Sequence, residues 1–202
     1  MLTRNRSLWL ILILLGSTII QGSIEIGKAC KDDLPGLFLI DRDVTDEYFK
    51  PLYKKAYSHL CIGQDPDFYL DKELEEDMTW FEECISLEST YSLYIALDEK
   101  THDAAGLIVV HKEDENSLLI DLLLVRKKYR GRGVGKGLVR LAIGSFNDVK
   151  ACIVCPFSCS ENQNTLDFYK SLGFKDLGPA EIDQEAYGIP YKDLYRYLRL
   201  DL

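Results

Sequence analysis

A glycine-rich, basic segment at positions 130–137 constrains this chain more than any other feature. It lies between an apolar run of β character at 118–125 and a stretch with the periodicity of an amphipathic helix from 138 onward. Glycine lets backbone amides approach a ligand closely, and a helix N-terminus adds a partial positive charge. Because the whole chain carries a formal net charge of -9, this concentration of arginine and lysine predicts a phosphate-binding loop rather than a merely tight turn. The glycines of this loop are Gly131, Gly133, Gly135 and Gly137.

The spacing of these glycines excludes two common phosphate ligands. A nucleotide P-loop needs four residues between its first glycine and Gly-Lys, followed by a serine or threonine that holds magnesium. Here three residues separate Gly131 from Gly135, and Gly137 replaces the hydroxyl residue. The dinucleotide fingerprint G-x-G-x-x-G fails as well, because Lys136 occupies the third glycine position.

Apolar patterns along the rest of the chain predict an α/β fold, with a mixed, mostly antiparallel sheet flanked by helices. Charged turns separate three β-rich segments in the middle of the chain, which is typical of an antiparallel meander. The expected strands cover residues 37–40, 92–97, 106–111, 118–125, 151–155 and 195–200. The expected helices begin near Thr45, near Lys72, after the glycine loop at Leu138, and at Asn164.

Two motifs in this part of the chain resemble those of the Gcn5-related N-acetyltransferase (GNAT) family. The segment Arg130–Gly135 resembles its acyl-CoA pyrophosphate signature R/Q-x-x-G-x-G/A, and Asp121 matches an acidic residue four positions before the end of the preceding strand. Downstream, the family pattern N-x-x-(small)-x-x-(apolar)-Y-x-x-x-G-F is matched by Asn162, Thr165, Phe168, Tyr169, Gly173 and Phe174. The resemblance is specific from Leu118 to Phe174, and it implies a GNAT-like acyl-CoA N-acyltransferase domain over residues 31–202.

The resemblance also implies a ligand and a set of site residues. Acetyl-CoA would be the co-substrate, without a metal, with its pyrophosphate on the glycine loop and its pantetheine arm along the strand that ends at Val125. The residues expected to bind it are Leu123, Leu124, Val125, Arg130, Gly131, Arg132, Gly133, Val134, Gly135, Lys136 and Asn162. Asp121 would act as general base, through water, and Tyr169 as the acid that serves the leaving sulfur.

The implied function is an N-acetyltransferase that transfers an acetyl group from acetyl-CoA to a primary amine by direct attack. Two other hypotheses remain open at this point: a non-catalytic acyl-CoA-binding or sensor module of the same fold, and an exported, disulfide-bonded interaction protein. The acceptor could be a small amine, a peptide N-terminus or a protein lysine. The acidic composition disfavours a nucleic-acid partner and favours a cationic acceptor.

The first residues have the layout of a secretory leader. Arg4 and Arg6 precede an apolar run that extends from Leu8 to Ile20. We therefore predict a hydrophobic leader over residues 1–23, either a signal peptide or a membrane anchor, followed by a boundary in the polar stretch 28–33. If the leader is used, the protein is exported or attached to a membrane; otherwise it is cytoplasmic.

The cysteine and histidine pattern does not predict a metal site. The chain has 6 cysteines, an even number that an exported protein could pair. Cys152 and Cys155 form a C-x-x-C pair, but they lie on an expected strand, where they would face opposite sides. His102 and His111 stand alone in the sequence, so nothing completes a ligand set, and structural thiols are the preferred interpretation.

Overall fold

The computed structural model describes residues 19–21, 23–51, 66–86, 88–156, 163–180 and 195–202. Two expected features lie outside these residues: most of the leader, and the cofactor-binding candidate Asn162. Of the predicted leader, the structure describes residues 19–21 and 23.

A single mixed sheet forms the centre of the described fold. Its strands are β1 (Ile19–Gln21), β2 (Ile24–Lys28), β3 (Tyr91–Asp98), β4 (Ala104–Lys112), β5 (Ser117–Val125), β6 (Ala151–Val154), β7 (Lys175–Pro179) and β8 (Arg196–Asp201). In the described part of the chain they lie in the order β1-β2-β3-β4-β5-β6-β8-β7. Neighbours pair antiparallel, except that β5 and β6 pair parallel. This confirms the predicted mixed, mostly antiparallel sheet.

Helices cover both faces of this sheet. They are α1 (Leu34–Val44), α2 (Pro66–Ile85), α3 (Val134–Gly144) and α4 (Gln163–Ser171), and a π-helical turn, Thr45–Phe49, directly continues α1. One core is formed where α1 and α2 pack on the sheet, around the buried side chains of Leu37, Ile40 and Phe81. The other is formed on the opposite face under α3 and α4, and it includes Leu138 and Tyr169.

The first predicted strand is wrong. Residues 37–40 belong to α1, which carries Pro35 in its first turn, a position that favours a helix start. Leu37, Ile40 and Val44 are all buried, and their spacing of three and four residues places them on one helix face. A short apolar run cannot be assigned to strand or helix from its own letters. The expected helix start at Thr45 is also wrong, because Thr45 continues the helix that begins at Leu34.

The sheet also extends beyond the strands that the sequence predicts. Strand β2 precedes the boundary expected at 28–33, and it pairs with β3 through five residues from Ile24 to Lys28. Ile24 and Ile26 are both buried in the core under α3. Residues 24–28 are therefore part of the folded domain. The leader stays a prediction; within the described residues, each helix is too short or too polar to span a bilayer.

Candidate active site

A cleft opens where β5 and β6 part. The two strands pair in parallel from Ser117 and Ala151 to Ile120 and Val154, where β6 ends. Strand β5 continues to Val125 and is paired there with β4 alone. On the side of β6, the edge of β5 beyond Ile120 thus keeps backbone groups that no described strand pairs. The cleft beside this edge has a volume of about 640 Å³.

A β-bulge places Asp121 at this cleft. Val110 pairs with Ile120 and Val109 pairs with Leu122, so Asp121 is an extra residue without a partner on β4. A bulge bends the strand locally and redirects the extra side chain. Asp121 consequently lines the cleft at the point where β5 leaves β6.

The Asp121 carboxylate is held by a histidine of the neighbouring strand. His111 Nδ1 lies 2.6 Å from Asp121 Oδ2, and the two side chains are 23% and 19% exposed. Burial raises the pKa of Asp121 above its ordinary value, and the hydrogen bond and charge of His111 oppose that rise. The ring of Tyr91 packs edge-on against His111, with centroids 5.1 Å apart. His111, which stands alone in the sequence, therefore has a partner in the fold.

The glycine loop opens α3 in a conformation that exposes its amides. Gly131 and Gly133 have φ angles of 74° and 81°, in the left-handed region that favours glycine. The Gly137 amide donates to the Gly133 carbonyl at 2.9 Å, and the amides just before Gly137 have no acceptor inside the helix. Gly135 is needed for packing, because a Cβ there would lie 3.2 Å from the Phe168 ring. The loop thus presents free amides to an anion.

The basic residues that precede the loop are already neutralised by carboxylates of the protein. These ion pairs hold the loop to α1, the π-helical turn and the β3–β4 connection. They join Arg126 to Asp43 at 2.7 Å, Lys127 to Glu47 at 3.3 Å, and Lys128 to Asp103 at 2.8 Å.

The basic residues inside the loop have a different environment. Arg130 donates from Nε to the Val125 carbonyl at 2.9 Å. The Arg132 guanidinium lies 5.4 Å from the centroid of the Tyr129 ring. Neither Arg132 nor Lys136 forms an ion pair with any residue that the structure describes. Their charges are therefore available to a phosphate ligand at the helix N-terminus.

This division of charges gives a test with a matched control. We expect the double substitution Arg132→Ala and Lys136→Ala to raise the Kd for CoA about tenfold, since two partly exposed phosphate contacts contribute about 0.5–1 kcal/mol each. The double substitution Lys127→Ala and Lys128→Ala removes the same charge, but from residues already paired with Glu47 and Asp103. Calorimetric titration at two salt concentrations should show little change in the control and a reduced salt dependence in the loop variant. Equal losses in both variants would contradict this assignment.

Tyr169 reaches the same cleft from α4. Its ring packs edge-to-face against Phe168 and Phe174, with centroids 5.0 and 5.3 Å away. The side chain is only 4% exposed, and burial raises the pKa of its phenol above the ordinary value, with the nearby Cys152 thiol adding to the rise. Tyr169 is thus a neutral hydrogen-bond donor throughout the physiological pH range.

The structure brings together most of the residues that the sequence singles out. Leu123, Leu124, Val125, Arg130, Gly131 and Gly135 line the cleft together with Asp121 and Tyr169. Arg132, Gly133, Val134 and Lys136 lie at the start of α3 without lining it. Val134 in particular is buried in the core, so only its backbone can serve a ligand.

The cleft also contains residues that the sequence did not point to. These are Val44, Tyr48 and Phe49, and His111 lies outside the lining but contacts Asp121. Tyr48 and Phe49 lie on the π-helical turn, a geometry that occurs often at functional sites and that no pattern in the sequence indicates. The short turn between β4 and β5 makes these strands neighbours, but only their register brings His111 to Asp121.

Thiol and metal chemistry find little support at this site. Burial raises the pKa of the Cys155 thiol to about 11 and that of Cys152 to about 12. Both are therefore protonated at neutral pH. Among the described residues, no group of three or more histidine, cysteine or acidic side chains is placed to hold a metal ion.

A mixed sheet splits between β5 and β6 beside a glycine-rich helix start, and a carboxylate and a phenol lie in the gap. This arrangement suits acyl transfer from a phosphate-bearing donor. The chain matches the acetyltransferase (GNAT) family over residues 48–174. Because this match covers more than half of its 202 residues, the protein belongs to the GNAT family and is an acetyltransferase. The resemblance stated above is confirmed.

Solved structures share the fold of this chain. The PaiA N-acetyltransferase of Thermoplasma acidophilum, in complex with coenzyme A, is 18% identical, with a TM-score of 0.63 over 89% of this chain and 99% of that one. A GNAT-family acetyltransferase of Staphylococcus aureus Mu50 is also 18% identical, with a TM-score of 0.61 over 89% and 99% of the two chains. A candidate streptothricin acetyltransferase of Bacillus anthracis, in complex with acetyl coenzyme A, is 26% identical, with a TM-score of 0.51 over 60% and 68%.

Proposed function

We propose that this protein is an N-acetyltransferase that moves the acetyl group of acetyl-CoA directly onto a cationic primary amine. One observation carries the proposal. A continuous path runs from the amides at the start of α3, along the edge of β5 that no described strand pairs, to the Asp121 carboxylate and the Tyr169 phenol. In order along this path lie amide donors for a diphosphate, an open strand edge for an amide-bearing arm, and a carboxylate and a phenol for the reaction at a thioester.

The donor would lie along this path. The diphosphate of CoA meets the amides before Gly137, together with the unpaired charges of Arg132 and Lys136. The pantetheine arm carries amide groups that can hydrogen-bond to the open edge of β5 at Leu123–Val125, in the manner of an added strand. The binding of coenzyme A and of acetyl-CoA by proteins of the same fold supports this placement. The thioester then reaches the point where β5 and β6 part.

The acceptor needs a base. An alkylammonium ion has a pKa of about 10.4, so only about one molecule in a thousand is a free amine at pH 7.4. Asp121 removes the proton, directly or through one water, and the amine nitrogen attacks the thioester carbon. The C–S bond breaks as the new C–N bond is completed. The Tyr169 hydroxyl gives its proton to the departing sulfur, which leaves as the CoA thiol, and takes up the second proton of the attacking nitrogen in its place, while the proton on Asp121 passes to solvent.

Direct attack is favoured over a covalent enzyme intermediate. Cys155 lines the cleft, but its raised pKa of about 11 keeps it a thiol at neutral pH, and the thiol is a far weaker nucleophile than the thiolate. The carboxylate–imidazole pair of Asp121 and His111 also favours catalysis over a module that only binds CoA, since CoA binding by itself requires neither group.

The walls of the cleft indicate the kind of acceptor. Asp121 is accompanied there by aromatic side chains, Tyr48 and Phe49 of the π-helical turn and Tyr195 just before β8. A carboxylate beside aromatic rings suits a primary ammonium group on an apolar stem. The net charge of -9 attracts such cations to the surface. Where the protein acts depends on the predicted leader, which stays a prediction.

A steady-state experiment tests the function. The purified protein is mixed with acetyl-CoA and a panel of polyamines, amino sugars, and peptides with a free N-terminus or a lysine. We expect release of free CoA thiol in equal amount to acetylated amine, and initial-rate plots that intersect as a direct transfer requires. Parallel plots would indicate a covalent intermediate. CoA binding without acetylation of any amine would establish a binding module instead.

A further inference from the structure

The Asp121 carboxyl group has to be ionised to act as a base. It lines a cleft that substrates must fill, and burial favours its neutral, protonated form. A protonated carboxyl group cannot take a proton from the amine. Some neighbouring group must therefore favour the carboxylate over the acid.

We propose that His111 is a positioning residue for the acetyl transfer, which holds the Asp121 carboxylate ionised and oriented towards the acceptor amine. This proposal rests on the proposed function, in which Asp121 is the base. His111 itself touches neither substrate, because its position on β4 puts it behind Asp121 and it is absent from the lining of the cleft.

The geometry for this role is built by two adjacent strands. His111 pairs with Leu119 on β5, and Asp121 is the next residue on the same face. The imidazole N–H at Nδ1 can donate to Asp121 Oδ2 across 2.6 Å, which leaves Oδ1 for the amine or a bridging water. A hydrogen bond to the charged form of a carboxyl group favours that form.

Within the described part of the chain, His111 is the titratable side chain that lowers the pKa of Asp121, and the backbone amide of Asp121 acts in the same direction. Among the described residues, the titratable groups that act on Asp121 are His111 on β4 and Glu113 just after it, and Glu113 raises the pKa of Asp121. On α2, the nearby Cys84 thiol has a pKa raised to about 12 and is neutral. Tyr91 on β3 supports the imidazole ring from the side, since the two rings are in edge contact.

Two substitutions separate this role from simple packing. His111→Phe keeps a ring against Tyr91 but removes the N–H donor, whereas His111→Asn keeps an N–H donor near the Nδ1 position but cannot itself become charged. We expect His111→Phe to lower kcat about tenfold at pH 7 and to move the acidic limb of the kcat/KM profile up by about one pH unit. Activity should recover partly at pH 9, and the Kd for acetyl-CoA should not change. In His111→Asn, the acidic limb should stay near its wild-type position.

Three further results decide the matter. If kcat/KM of His111→Phe falls by the same factor at every pH, the acidic limb of the profile has not moved. His111 would then only support packing, and the proposal would be overturned. In the Asp121→Asn background, His111→Phe should have almost no additional effect on kcat, because the residue acts through Asp121. Full additivity of the two losses would contradict the proposal, even if His111→Phe folds less well.

One measurement does not depend on turnover. The side-chain carboxyl carbons can be labelled with ¹³C at aspartate and titrated by NMR, with Asp121→Asn used to assign the Asp121 signal. We expect Asp121 to titrate about one pH unit higher in His111→Phe than in the wild type. Equal titration midpoints would overturn the role of His111. A shifted midpoint in a protein that acetylates no amine would instead retain the pairing and refute the proposed function.

Discussion

Replacing Asp121 with asparagine is expected to lower kcat/KM for the amine about 10²–10⁴-fold at neutral pH, the usual contribution of a general base. Asparagine has the shape of aspartate and can still accept the hydrogen bond from His111. It cannot take a proton, so only the rare free-base form of the amine can attack. Binding of acetyl-CoA should be unchanged, because the phosphate loop lies at the other end of the cleft.

The pH profile and a surface control make this result specific. In Asp121→Asn, kcat/KM should keep rising with pH, as the free-base fraction of the amine rises. Asp148→Asn makes the same chemical change at an exposed carboxylate that pairs with Lys112, and it should leave the rate unchanged. Thiol release measured from pH 6 to 9.5 compares the three proteins. A loss of less than about threefold in Asp121→Asn would remove Asp121 from the mechanism, since a general base contributes far more.

Tyr169→Phe is expected to lower kcat about 10–100-fold while the Kd for acetyl-CoA stays nearly the same. The phenyl ring keeps the edge-to-face contacts with Phe168 and Phe174, so the shape of the cleft is preserved. What is lost is the hydroxyl that hydrogen-bonds to the departing sulfur. We therefore expect the lower kcat to reflect slower breaking of the C–S bond.

A matched tyrosine is available as a control for this substitution. Tyr197 is 41% exposed on β8, and Tyr197→Phe removes a hydroxyl without touching the cleft. Its kcat should equal that of the wild type. Calorimetry with acetyl-CoA and single-turnover measurements separate binding from chemistry. Unchanged turnover in Tyr169→Phe would show that Tyr169 is only a core residue of α4.

The sequence predicted the elements that are determined by residues close to one another in the chain. The glycine spacing of the loop at 130–137 excluded a nucleotide P-loop and a dinucleotide fingerprint, because such motifs depend on neighbouring residues only, and the resemblance to the GNAT family then implied CoA. The meander of β3, β4 and β5 was predicted because charged turns separate its apolar strands. Strand β7 was missed, since Lys175–Pro179 contains Gly178 and Pro179 and little apolar surface. It is a strand because β8 pairs with it.

The contact between His111 and Asp121 could not be predicted from residues that are neighbours in the chain. Ten positions separate these residues, and only the register of β4 against β5 decides whether they meet. That register includes a bulge at Asp121, which no feature of the apolar run 118–125 indicates. The motif thus identified the carboxylate, whereas the partner that holds it follows from tertiary structure.

Strand β2 has a consequence for how the protein can be shortened. A recombinant chain that starts at Lys31, the start expected from the sequence, would lack both buried isoleucines of β2, Ile24 and Ile26. It would also leave the β3 backbone unpaired along the five positions that face β2. A bare strand edge of this kind is a template for another chain. Such a truncation would therefore favour edge-to-edge aggregation, and any processing that preserves a soluble enzyme has to cut before Ile24.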